Sequence, residues 1–135
     1  MAEADAVPTL EFTAVQRGPN VLLVELCGML RQAVDLTGFH EAVRRALTAA
    51  KVNVVLDMAK VPFVDSFGLG FLMILRREIV KAGGMLKLAR PNEGVVKALA
   101  YTRIDSIIPV VMDLNEATQP PKPGEGEPKE VPAPA

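Results

Sequence analysis

Short apolar runs and longer mixed runs take turns along most of the chain, and the two kinds carry different periods. Thr9 to Gln16 and Val21 to Cys27 are rich in branched residues and read as strands. Arg17-Gly18-Pro19-Asn20 between them is turn chemistry, so the two strands are expected to pair as a hairpin. Asp35 or Thr37 can cap a helix running to about Ala50, which places Phe39, Val43, Ala46 and Leu47 on one face. Val52-Asn53-Val54-Val55-Leu56-Asp57 is short and almost wholly apolar, the pattern of a strand covered on both faces. A second helix is expected from near Ser66 to Ala82, stopped by Gly83-Gly84, with Met85 to Ala89 as the next strand. Pro91-Asn92 opens a helix from about Glu93 to Ala100, Ile107 to Met112 reads as a last strand, and Leu114 to Thr118 as one helical turn.

Strands alternating with helices predict a single α/β domain over residues 9–118. Its sheet is expected to be mixed but mostly parallel, with about five strands packed by three to four helices and an antiparallel edge from the hairpin. Residues 1–8 are expected to be a flexible N-terminus. From Gln119 the chain reads QPPKPGEGEPKEVPAPA and holds six of the eleven prolines. So little apolar mass cannot offset the entropy of ordering, which predicts a disordered, partly polyproline-II tail.

Composition narrows the function. Fifteen Lys and Arg against sixteen Asp and Glu leave a net charge of −1, so no basic surplus points to nucleic acid. No run approaches the roughly 18 apolar residues of a membrane span, and MAEADAVPTL lacks the layout of a signal peptide; a cytoplasmic protein is expected. Cys27, the sole cysteine, cannot form an internal disulfide and is expected to be a small core residue. His40 is the sole histidine and reads as a surface or boundary residue without a triad. Val64 stands where a G-x-S-x-G elbow needs glycine, and Met73 where a dinucleotide loop needs its third glycine. Asp57 and Asp65 are isolated carboxylates, Asp57 reading as a loop cap, and no metal-ligand spacing is present. No catalytic residue, metal or cofactor is expected.

The stretch FVDSFGLG carries the remaining chemistry. Ser66 stands at a strand-to-helix junction, where serine is a good N-cap. The same helix terminus, with unpaired amides and partial positive charge, also suits a phosphate on that serine, while Asp65 next to it would repel one. Cap and modified switch both remain open on the residues alone. Along the helix that follows, Leu69, Leu72, Met73, Ile79 and Val80 form the expected core stripe. Phe67, Phe71 and Ile74 fall on another side together with Glu78 and Lys81, which predicts an exposed apolar patch beside Ser66.

Val54-Val55-Leu56-Asp57-Met58 followed by Val61-Pro62-Phe63-Val64-Asp65-Ser66-Phe67-Gly68-Leu69-Gly70 resembles the STAS domain, in particular the bacterial anti-sigma factor antagonists with their D-S-[ST]-G-[LVIM]-G motif. Leu26-Cys27-Gly28, Lys81 to Ala89, Pro91 to Leu99 and Ile104 to Val111 are similar to further segments of that family, so the resemblance covers roughly residues 9–117. It implies a non-enzymatic binding protein that docks on an anti-sigma factor serine kinase, the ATP being held by the kinase. Phosphorylation of the serine at the Ser66 position switches the complex off, and a serine phosphatase resets it. Partner contacts are then expected from Asp65, Ser66, Phe67, Gly68, Phe71, Ile74 and Arg31. The alternative is a scaffold-type STAS module that binds constitutively, with Ser66 only a helix cap. The chain departs from the family at three places. Phe67 replaces the usual Ser or Thr, and the last helix gives way to the proline-rich tail. Arg31 occupies a normally acidic position, where it would pair with Asp65, meet a phosphate on Ser66, or be a plain surface substitution.

Overall fold

A computed structural model of the chain describes residues 8–17, 20–49 and 53–119. The expected flexibility of residues 1–7, the centre of the hairpin turn at Gly18-Pro19, Ala50, Val52 and the proline-rich tail from Pro120 lie outside the described residues. The elements run β1 (Glu11–Gln16), β2 (Val21–Cys27), α1 (Thr37–Ala49), β3 (Asn53–Lys60), α2 (Ser66–Lys81), β4 (Met85–Ala89), α3 (Glu93–Tyr101), a 3-10 turn (Ile104–Ser106), β5 (Val110–Val111) and α4 (Leu114–Ala117).

The five strands lie side by side in chain order. β1 pairs antiparallel with β2, from Glu11 opposite Cys27 to Gln16 opposite Leu22, and every later pairing is parallel. Strand pleating then divides the core into two layers. Val24, Leu26, Val54, Leu56, Met58, Leu86 and Leu88 face Phe39 and Val43 of α1, Leu72, Leu75 and Ile79 of α2, and Val95 and Leu99 of α3. Val21, Leu23, Val55 and Ala89 point the other way, onto Leu114 and Ala117 of α4. β3 is covered on both faces, as its unbroken apolar run requires.

Because α4 has only four residues, it covers one end of its face. Cys27, expected in the core, shares that face near the far end of β2 and is exposed. Asp57, on the same face, is 1% exposed and bound by Arg90, whose Nε and Nη2 donate to its two oxygens at 3.1 and 2.6 Å. This fork-on-carboxylate geometry answers the burial of the charge. Asp57 Oδ1 also accepts from the Ala59 amide, but β3 runs on to Lys60 and holds both residues, so Asp57 is a buried strand residue paired with Arg90 and not the loop cap expected.

The stop after α2 follows the sequence closely. Gly83 adopts φ 89°, its amide donates to Val80 and that of Gly84 to Ile79, which closes the last turn with a glycine in the left-handed region. The last strand is shorter than expected. Ile107 and Ile108 are drawn inward behind the 3-10 turn, Ile108 wholly into the main core, which leaves Val110–Val111 for the sheet.

The helical wheel of α2 misplaces one aromatic. Phe71, expected on an exposed patch, is buried. α1 lies against that side: the rings of Phe12, Phe39 and Phe71 follow one another at 5.7 and 5.9 Å, and His40 meets the Phe71 ring edge-on at 5.4 Å. Glu78, which suggested exposure, instead reaches His40, with Oε1 2.6 Å from Nε2. A polar pair thus lids an aromatic ladder joining β1, α1 and α2, and His40 is the boundary residue expected. Phe71→Ala should destabilise the domain by about 3–5 kcal/mol in equilibrium urea unfolding, whereas Ile74→Ala, on the exposed side of the same helix, should change it by less than about 0.5 kcal/mol.

Candidate functional site at the start of α2

Two loops meet at the N-terminus of α2. Leu30, between β2 and α1, forms a parallel bridge with Val64, between β3 and α2. The Leu30 amide donates to the Phe63 carbonyl and the Asp65 amide to the Leu30 carbonyl, both at 3.1 Å. Asn92 holds the same loop from the other side: its Nδ2 donates to the carbonyls of Val61 and Pro62, while its Oδ1 caps α3 by accepting from Val95.

Asp65 completes the clamp. Its backbone is extended, φ −95° and ψ −175°, and its Oδ1 accepts from the Gly68 amide at 2.9 Å. It is therefore the N-cap of α2, a role expected of Ser66. Its second oxygen accepts from the Gln32 amide, also at 2.9 Å. One carboxylate satisfies an orphan donor of the helix and an amide of the neighbouring loop. The amides of Gln32 and Gly68 favour its charged form and hold the Asp65 carboxyl below the ordinary carboxylate range.

Ser66 is consequently the first helical residue, one place inside the cap. It is exposed and its hydroxyl makes no hydrogen bond among the described residues. Phe67 beside it is 49% exposed, Phe63 is 50% exposed, and Met29 and Ile74 are also open to solvent. Gly68 is buried, and here glycine is required: a Cβ would lie 2.2 Å from the carbonyl oxygen of Leu30. Arg31 makes no ion pair with Asp65, whose two oxygens are taken by backbone amides. Its Nε is buried without a hydrogen-bond partner among the described residues.

Of the residues singled out from the sequence, Asp65, Ser66 and Phe67 come together at the helix start. Arg31 stands beside Gln32, which Asp65 binds, and Ile74 lies two turns along the same exposed side. Gly68 and Phe71 face inward and cannot be surface contacts. Phe63, Met29 and the Gln32 amide were not singled out. Their place follows from the Leu30–Val64 bridge between residues 34 positions apart, which no local pattern reports.

Residues 38–117, more than half of the chain, match the STAS domain family. The chain belongs to the STAS domain family. STAS domains are non-catalytic regulatory modules, and this one folds as they do. A Thermotoga maritima protein named as a candidate anti-sigma factor antagonist is 32% identical over 67 residues, which make up 50% of this chain. The aligned part is 59% of that relative's length, so the STAS chain spans well under two thirds of the curated relatives it matches. The structure resembles that of the anti-sigma factor antagonist SpoIIAA in its unphosphorylated form, with a TM-score of 0.66, 18% identity, and 79% of this chain and 92% of that one covered. It also resembles the phosphorylated form of SpoIIAA, the Bacillus cell fate determinant, with a TM-score of 0.62, 18% identity, and coverage of 79% and 96%. At this identity the likeness establishes the fold.

Two outcomes test the clamp. Gly68→Ala should destabilise the domain by about 1–3 kcal/mol in urea denaturation although alanine is the better helix former, because the new methyl meets backbone that cannot move aside cheaply. For Asp65, the depressed native pKa makes its stabilisation fully present above the ordinary carboxylate value of about 4 and lost as pH falls through the lower native value. Denaturation midpoints followed from pH 6 downward to about pH 2 should therefore fall less steeply in Asp65→Asn than in the parent.

Proposed function

We propose that this STAS protein is an anti-sigma factor antagonist. It docks on a serine-kinase anti-sigma factor through the start of α2 and is released when the kinase, using its own ATP, phosphorylates Ser66. The observation that carries this reading is the division of labour between Asp65 and Ser66. Asp65 caps the helix, so the Ser66 hydroxyl is exposed, unpaired and free to react. The kinship with a candidate anti-sigma factor antagonist and the existence of both phosphorylated and unphosphorylated SpoIIAA support the same cycle.

The electrostatics give the switch its direction. A phosphate on the first helical residue brings nearly two negative charges to the positive end of the helix dipole, which offsets their repulsion by the Asp65 carboxylate. The surface around it is apolar, formed by Phe67, Phe63, Met29 and Ile74, and a dianion there opposes docking through the cost of desolvation. Arg31, whose Nε is buried without a hydrogen-bond partner among the described residues, precedes Gln32, whose amide Asp65 binds, and is assigned to the same partner surface. A serine phosphatase resets the cycle, and the exchange takes place in the cytoplasm.

The decisive measurement uses the anti-sigma factor kinases of the source organism with ATP. Mass spectrometry should place the phosphate on Ser66, Ser66→Ala should bind the kinase as the parent does, and Ser66→Asp should bind at least tenfold more weakly. A phosphate found elsewhere, or equal affinity for both variants, would make this a constitutive binding module.

A further inference from the structure

The two glycines of α2 differ in kind. Gly68 is forced by the Leu30 carbonyl, but a Cβ at Gly70 would meet no atom within 4 Å. Gly70 is exposed, in the second turn of a sixteen-residue helix, where glycine is the least favourable residue after proline. Nothing within the described fold requires glycine there.

Its surroundings suggest what does. Beyond Ser66, the exposed positions of α2 form one stripe, Phe67, Gly70, Ile74, Arg77 and Lys81, spaced alternately three and four residues apart. Phe67 and Ile74, each 49% exposed, stand one turn to either side of the bare backbone at Gly70. The far half of the stripe is cationic. The nearest acid on the helix, Glu78, is turned aside to His40 and does not neutralise Arg77 or Lys81.

We propose that Gly70 is a docking notch. An apolar side chain of the anti-sigma factor seats on the α2 backbone between Phe67 and Ile74, and carboxylates on the same segment of the partner meet Arg77 and Lys81. The expected partner surface is therefore amphipathic and acidic. The absent side chain allows the close approach, and the cations fix its direction along the helix. This rests on the reading of the Ser66 end of α2 as the docking face and gives that face its partner chemistry.

The test uses the full chain and the kinase that phosphorylates Ser66. Gly70→Ala should raise the melting midpoint by about 4 °C, because alanine is the better helix former and has room. The same variant should weaken kinase binding at least tenfold in calorimetric titration. Arg77→Glu with Lys81→Glu should weaken binding at least tenfold at low salt, and less as salt is raised. Unchanged affinity in Gly70→Ala, or a lowered melting midpoint, overturns the notch. If Ser66→Asp still weakens binding while Gly70→Ala does not, only the notch fails. If Gly70→Ala weakens binding and Ser66→Asp does not, the notch stands and the phosphorylation reading fails.

Discussion

The two-sided grip of Asp65 is the interaction on which the site depends. One oxygen anchors the first turn of α2 and the other an amide of the β2–α1 loop, while its own amide binds Leu30. These bonds tie together segments more than thirty residues apart, in a place where a helix begins against bare backbone. Gly68 makes that approach possible, since any side chain would collide with the Leu30 carbonyl. The helix start is thus held by backbone geometry and one carboxylate, which leaves neighbouring side chains free of structural duty.

The layering of the domain extends the same division. Three long helices fill one side of the sheet, and the aromatic ladder from Phe12 through Phe39 to Phe71 locks α1 against α2. What remains exposed on α2 is a single stripe starting beside Ser66. Among the described residues, the opposite side of the sheet is covered by a four-residue helix and the Arg90–Asp57 pair.

Much of this was legible in the sequence, for identifiable reasons. The apolar run of β3 and the Gly83-Gly84 stop are local signals and both held, while the helical period of α2 placed Leu69, Leu72 and Ile79 in the core but Phe71 on the wrong side. Resemblance at FVDSFGLG pointed to the candidate site at the start of α2. Features that depend on what lies across the core were not legible. A wheel cannot show that α1 covers Phe71, nor can strand composition show that α4 ends before reaching Cys27. Asp65 and Ser66 are both good caps, and only the backbone angles at Asp65 decide between them. The Asp57–Arg90 pair joins positions 33 apart, and Arg90 reaches it from a left-handed backbone conformation that a non-glycine residue rarely adopts.

The separation of the cap from the adjacent hydroxyl has a kinetic consequence. Because the helix is secured one residue earlier, adding or removing a group at Ser66 requires no hydrogen bond of the scaffold to break. On the phosphorylation proposed for Ser66, the protein would be marked and unmarked without crossing an unfolding barrier, and the pace of the signal would rest with the enzymes that write and erase the mark.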